Sequence, residues 1–354
     1  MAQRSARAAP PPARPQSPAR GRAASPLPQA RPPHSSYAAI DLGTNNCRLL
    51  IARPSQHGFV VVDSFSRIVR LGEGLASSGA LGDAAMDRAI DALKICADKI
   101  VKRRVGLVRS VATEACRRAR NGRAFIDRVY SETGIALEII SPEQEARLAM
   151  AGCHALLEPG EGPAMIFDIG GGSTELILLE GRGDDELPHI LDWCSIPWGV
   201  VSLTESEPVD HSSAAARQAS YAALRARVTD ALAGFAERIA MPDMGARLLG
   251  TSGTVTTLGS VYLNLPRYDR RAIDGLVVPV QAMRDISREL AGLSVAERSR
   301  VSSIGNERAD LVVAGCAILE SILDVWPAER LVVADRGIRE GILRSLMARD
   351  GHTW

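Results

Sequence analysis

Two hydrophobic patterns alternate along this chain. Short apolar runs bounded by turn residues predict strands, and longer stretches with apolar residues every three or four positions predict helices. "YAAIDLG", "CRLLIAR" and "GFVVVDSFSRIV" predict three consecutive strands from Tyr37. A helix is expected over 83–104, a strand over 107–113, a helix within 114–132 and a strand over 136–140. Pro142 can open the next helix, 142–157. The pattern then restarts. "AMIFDIG" and "STELILLE" predict two strands about a turn, with a third over 189–198. Helices near 199–206 and 213–240, a strand over 247–252 and a helix from Thr254 follow. Helices over 280–300 and 308–325, a strand over 330–335 and a helix over 338–348 complete the chain. Strands alternating with helices imply an α/β architecture.

The restart is a repeat. Ile40-Asp41-Leu42-Gly43 matches Phe167-Asp168-Ile169-Gly170, and Leu49-Leu50-Ile51 matches Leu176-Ile177-Leu178, at a constant offset of 127 residues. Each half opens with the same hairpin and a third strand. Two copies of one unit, facing each other across a cleft, are expected.

Composition modifies this picture mainly at the start. Of 354 residues, 46% are hydrophobic and 23% charged, ordinary values for a globular chain long enough for two domains. Residues 1–36 are rich in Pro, Ala and Arg, with six arginines and no acid. Such a segment buries too little apolar surface to offset its ordering entropy, so a disordered tail is expected, and it lacks the apolar stretch of a secretory signal. The net charge is +1, so removing the six tail arginines leaves about −5. That balance argues against a nucleic-acid binder and requires any anion site to be a local patch. The apolar run 311–319 is far short of the ~20 residues of a membrane span, so no membrane association is expected. Six cysteines without CxxC pairs read as buried thiols in a reducing, cytoplasmic setting. The expected organisation is a tail over 1–36, a first domain over 37–157 and a second over 158–337. A C-terminal helix of about 338–350 is expected to pack back on the first.

The chemistry is expected at the two turns. Gly170, Gly171 and Gly172 can aim consecutive backbone N–H groups at one anion, and Ser173 and Thr174 add hydroxyls. Thr44, Asn45 and Asn46 supply donors in the first copy. Asp41 and Asp168 stand beside these turns, where a carboxylate would repel a phosphate unless a divalent cation lay between them. The arrangement therefore implies Mg²⁺ or a similar cation. It is no Walker A loop, because GxxxxGK[ST] does not occur. A lone Asp-x-Gly would be read as an ordinary turn; its duplication changes that.

"DLGTNNCRLLIA" and "FDIGGGSTELILLE" resemble the two phosphate motifs of the actin, sugar-kinase and Hsp70 superfamily. Within it they are closest to the exopolyphosphatase / guanosine pentaphosphate phosphatase (Ppx/GppA) family. "RLGEGL", "SVATEACRRARNG", "IISPEQEARLA", "IPWGVVSLTE", "LLGTSGTVTTL", "YDRRAIDGLVV", "NERADLVVAGCAIL" and "VVADRGIREGIL" extend the resemblance over about residues 37–348. It implies two ribonuclease H-like (actin-like ATPase) domains. It also implies that Glu145, in "PEQEAR", activates the attacking water, with Glu143 ranked second. Arg117 and Arg308 match family arginines implied to reach phosphate, and the "GTSGTVTTL" loop takes a supporting role. Asp168, with Glu175 and Asp41, is implied to hold the metal.

The implied activity is hydrolytic release of the terminal phosphate of inorganic polyphosphate, or alternatively of guanosine pentaphosphate, by a homodimer. Two departures stand out: Glu114 replaces a small polar residue, and the first turn reads TNNCR. The absence of a C-terminal HD-type region resembles the short, two-domain members. An ATP-dependent kinase and a non-catalytic polyphosphate or alarmone sensor are the other readings. Six scattered histidines, none in a motif, give a histidine base no support.

Overall fold

In a computed structural model, described for residues 35–160, 162–180, 188–207, 209–239 and 246–352, the strands form two sheets. The first contains β1 (Tyr37–Leu42), β2 (Asn46–Ser55), β3 (Gly58–Ile68), β4 (Leu107–Ala112) and β5 (Leu137–Ile139), in the order β3-β2-β1-β4-β5. The second contains β6 (Ala164–Ile169), β7 (Thr174–Leu179), β8 (Ile190–Ile196), β9 (Arg247–Thr251), β10 (Leu276–Pro279) and β11 (Arg330–Ala334). Its order is β10-β11-β9-β6-β7-β8.

The two sheets repeat one topology. β1 pairs antiparallel with β2 and parallel with β4; β6 pairs antiparallel with β7 and parallel with β9. The repeat holds to the residue. Leu42 faces Cys47 across the first hairpin and Ile169 faces Thr174 across the second, each 127 positions apart. Being flanked on both edges, β6 reads as a continuous apolar run, and Met165, Ile166 and Phe167 are fully buried.

Helix Pro142–Cys153 ties the halves together. Ser141 and Gln144 form a capping box at its start, and Pro142 fills the first position. Its Leu148 packs with Ala39, Leu50 and Val111 of the first sheet, together with Ile342 and Leu346 of helix Ile338–Arg349. Its Ala146, Met150 and Cys153 pack instead with Ile166, Ile177 and Leu249 of the second sheet. The first turn of this helix, which carries Glu145, is thereby fixed between the sheets. It crosses helix Ile338–Arg349 at small residues: a Cβ on Gly341 would lie 2.0 Å from the Leu148 carbonyl oxygen.

Some expected elements are shorter. The helix within 114–132 divides into Glu114–Arg118 and Gly122–Thr133, where Gly122 packs against the Cys116 carbonyl. The helix over 280–300 stops at Gly292, because Ser294 and Glu297 form a capping box that starts the turn Val295–Arg298. The helix over 308–325 begins at Val312, and 142–157 ends at Cys153 before a 3₁₀ turn. β10, four residues ending in Pro279, has no length from which a pattern could be read. Of the expected tail, only Ser35 and Ser36 are among the described residues. No helix among the described residues is long and apolar enough to cross a membrane. All six cysteines are free thiols, five of them buried.

Candidate active site

Both hairpin turns close with the same hydrogen bond. Gly43 N donates to Asn46 O at 2.9 Å, and Gly170 N donates to Ser173 O at 2.9 Å. Behind each turn a strap of chain holds its carbonyls. Val200 N donates to Gly170 O (3.0 Å), Val201 N to Gly171 O (2.8 Å), and Ser202 Oγ to Gly172 O (2.9 Å). In the first half, Val69 N donates to Asn45 O (2.8 Å) and Gly72 N to Thr44 O (2.9 Å). In a trans peptide the C=O and the next N–H point opposite ways. Carbonyls drawn toward the straps therefore turn the N–H groups of Gly171, Gly172 and Ser173 away from the strap, which is the geometry of an anion nest.

Gly72 and Gly199, one in each strap, are also 127 residues apart. A Cβ on Gly199 would sit 2.4 Å from Gly171 C and 2.5 Å from Gly172 N, so only glycine fits without moving the turn. Gly199→Ala is expected to lower phosphate release about tenfold or more and to lower the thermal midpoint. An unchanged kcat in a folded variant would show that the strap does not shape the turn.

The turns face one cavity of about 120 Å³. Asp41 and Asp168, at the ends of β1 and β6, line it, and Glu145 reaches it from the helix between the sheets. Burial pushes the Asp168 carboxyl up to about 7, with the charges of Glu145 and Asp41 adding and Arg48 opposing. Burial and Asp168 push Glu175 up to about 7, against hydrogen bonds from Ser195 and Ser173. Asp41 is raised by burial while Arg48 and Arg339 pull it down. Burial and the Glu175 charge hold Glu145 well above the ordinary glutamate value, partly offset by Arg117.

Most of the expected site residues converge here: Thr44, Asn45, Asn46, Gly170, Gly171, Gly172, Ser173 and Arg308 all line the cavity. Arg308 donates to Thr257 Oγ1 at 2.9 Å. The loop Ser252–Thr254 lines it too, and Ser252 also caps its helix through Val255 N. Three expected residues lie behind the wall instead. Thr174 is fully buried and donates to the Trp198 carbonyl (2.7 Å), so its hydroxyl is not directed at the cavity. Glu175, opposite Asp168 in the hairpin, is buried and accepts from Ser195 Oγ (2.7 Å).

Arg117 does not line the cavity. Its guanidinium donates to Glu114 Oε2 (2.6 and 3.0 Å), to Glu145 Oε2 (3.2 Å twice) and to the Ile140 carbonyl (2.7 Å). Glu143 faces outward and pairs with Arg147 at 3.0 Å. Arg48 is a cavity residue that motif reading missed. It stands opposite Asp41 in the hairpin register, and its signal in the sequence was its place at the end of the TNNCR turn.

Glu145 and Asp41 raise the Asp168 carboxyl, and Glu175 and Asp41 raise that of Glu145, so acidic groups crowd the cavity and the wall behind it, and a hard divalent cation suits that donor set. Among the described residues, no three Asp, Glu, His or Cys side chains are grouped to hold one ion. An ion here would use few protein carboxylates and complete its shell with substrate oxygens and water. Among the described residues, Thr44 Oγ1 and Asn45 Oδ1 are buried without a hydrogen-bond partner, and both belong to residues lining the cavity. Unsatisfied buried polar atoms at a cavity suit a ligand that supplies the missing partner.

Comparison with known proteins shows the family and the fold. The model of the Ppx/GppA phosphatase family matches residues 50–350. "Exopolyphosphatase 2" of Mycobacterium tuberculosis is 30% identical over 330 residues, covering 87% of this chain and 98% of that protein. "Guanosine-5'-triphosphate,3'-diphosphate pyrophosphatase" of Aeromonas salmonicida is 29% identical over 319 residues, covering 89% of this chain and 60% of that longer protein. Among solved structures, the Ppx/GppA family member of Aquifex aeolicus superposes with a TM-score of 0.73 at 28% identity, covering 91% of this chain and all of that one. An exopolyphosphatase of Cytophaga hutchinsonii superposes with a TM-score of 0.77 at 25% identity, covering 89% of this chain and 98% of that one.

Proposed function

Because the chain belongs to the Ppx/GppA phosphatase family, whose fold sets two actin-like halves across a cleft, we propose that it hydrolyses the terminal phosphoanhydride of inorganic polyphosphate. One observation carries this reading: Glu145 reaches the cavity between the two turns, and among the described residues only its Oε2 accepts a hydrogen bond, leaving Oε1 open.

In this mechanism the turns at Thr44–Asn46 and Gly170–Ser173 hold the terminal phosphates. Arg48 and Arg308 add positive charge from the cavity wall. Glu145 orients a water in line with the terminal phosphorus and takes its proton as the P–O bond to the leaving chain breaks. Such a loose transition state needs positioning more than a strong base, and a carboxylate of raised pKa suits the task. Asp168 and Asp41, backed by Glu175, would hold a divalent cation, which would neutralise charge between carboxylates and phosphate.

The name of the Aeromonas relative supports guanosine pentaphosphate as the alternative substrate, since both compounds present a terminal phosphoanhydride. Phosphate release measured with polyphosphate, guanosine pentaphosphate and ATP plus Mg²⁺ tests the proposal. Release from polyphosphate supports it, release from guanosine pentaphosphate alone selects the alternative, and no release from any of the three sinks both. The same family reading takes 37–157 with the terminal helix as one domain and 158–337 as the other. It also takes the protein as a cytoplasmic homodimer, which sedimentation would check.

Thr44→Val keeps the shape of a side chain whose hydroxyl has no partner in the fold. Its stability is expected to hold or rise, while KM rises about tenfold through loss of one hydrogen bond to an anion. An unchanged KM would remove Thr44 from the phosphate site.

A further inference from the structure

The arrangement around Arg117 goes beyond a base and its site. Arg117 is shared between two carboxylates, and the sharing is unequal. Glu114 Oε2 receives Nη2 at 2.6 Å and Nε at 3.0 Å, whereas Glu145 Oε2 receives Nη1 and Nη2 at 3.2 Å each. A guanidinium facing a single carboxylate settles into the two-oxygen fork, which occupies both acceptors. Here the edge formed by Nε and Nη2 is held by Glu114, and Nη1 is further held by the Ile140 carbonyl at 2.7 Å. Glu145 is left with one bonded and one unbonded oxygen.

Glu114 is itself held. It lies at the cavity, 9% exposed, and its Cγ stands 2.9 Å from where a Gly172 Cβ would be. Its chain thus packs against the glycine turn, and its other carboxylate oxygen, Oε1, stands 3.7 Å from Arg118 Nε, a second anchor besides Arg117.

We propose that Glu114 is a positioning residue for the hydrolytic base: it holds Arg117 off the second oxygen of Glu145, so that this oxygen stays open to the attacking water. The inference rests on the proposed role of Glu145. Without Glu114, Arg117 swings toward Glu145 and closes the fork, and the base is occupied by its own neighbour.

Kinetics of Glu114→Ala, Arg117→Met and the double variant, with Glu114→Gln and Glu145→Gln beside them, test this on the full chain with polyphosphate and Mg²⁺. Glu114→Ala is expected to lower kcat about 10- to 100-fold with KM nearly unchanged. Glu114→Gln, which keeps an oxygen for Arg117, is expected to recover part of the rate. Because Glu114 acts through Arg117, adding Glu114→Ala to Arg117→Met is expected to cause little further loss. Additive losses overturn the inference, as does a rise in KM at constant kcat, which would make Glu114 a substrate contact. If Glu114→Ala does not fold, the Gln variant decides: a partial loss of kcat that disappears in the Arg117→Met background supports the inference, and a loss that persists there overturns it. A fully active Glu145→Gln overturns the reading of the base and this inference with it. An inactive Glu145→Gln beside an undiminished Glu114→Ala overturns this inference alone.

Discussion

Glu145→Gln is expected to lower phosphate release by about 10²–10⁴-fold, the range for loss of a positioned general base. KM should change little, because the amide keeps the shape and the turns proposed to hold phosphate are untouched. Stability should move the other way. Glu145 has its pKa raised by burial and by the Glu175 charge, so its ionised form is disfavoured in the fold. The sign follows from linkage. A carboxyl with a raised folded value stabilises the fold below its unfolded pKa, near 4.5, and that contribution is lost as pH rises through the folded value. At neutral pH the neutral Gln variant is therefore expected to unfold at a higher temperature than the wild type. Arg117 remains paired with Glu114 in the variant. An inactive and more stable protein is the signature expected of a residue kept for chemistry. An active variant, with rate within a few-fold of wild type, would place the base elsewhere.

The same contrast between local pattern and three-dimensional placement marks what the sequence could reveal. The paired hairpins were legible because strand register preserves spacing: Asp41 and Asp168 recur at one offset in sequence and in the sheets. Glu145 was legible only through its resemblance to a family segment. By pattern alone it is one more acid in the first turn of a helix, where acids are favourable anyway. Arg117 shows the opposite case. Its motif suggested contact with phosphate, yet an arginine three positions after Glu114 on a helix already has a neighbour. The straps were the largest omission. Gly72 and Gly199 obey the same 127-residue offset as the hairpins and lie in segments of the family resemblance, but each stands where apolar periodicity has ended, so the pattern assigns neither a role. What decides their role is the distance to the turn, and that is set by the fold. Helix breaks at Ser294 and before Gly122 were hidden in the same way, under apolar spacing that continues across a cap.

Asp168→Asn should separate metal binding from folding. The carboxyl is pushed up to about 7 by burial, by Glu145 and by Asp41, so its surroundings resist its ionisation. Each unit of such a shift corresponds to about 1.4 kcal/mol between the two protonation states. By the sign already worked out, Asp168 contributes stability below about pH 4 and loses it as pH rises toward about 7. Without divalent cations, the wild-type thermal midpoint should therefore fall over that interval, and the Asn variant should fall less. Added Mg²⁺ should raise the wild-type midpoint at pH 7, because a ligand that binds only the folded state stabilises it by mass action. The variant, lacking the charge, should show little of that gain. Its cation-dependent phosphate release should drop by about 10²–10³-fold, since neutralising the charge between carboxylate and phosphate is worth several kcal/mol. Thermal melts from pH 4 to 8 with and without Mg²⁺, alongside phosphate release, check both halves. If Mg²⁺ stabilised the variant as much as the wild type, the ion would be held elsewhere. Asp41 would then become the residue to test.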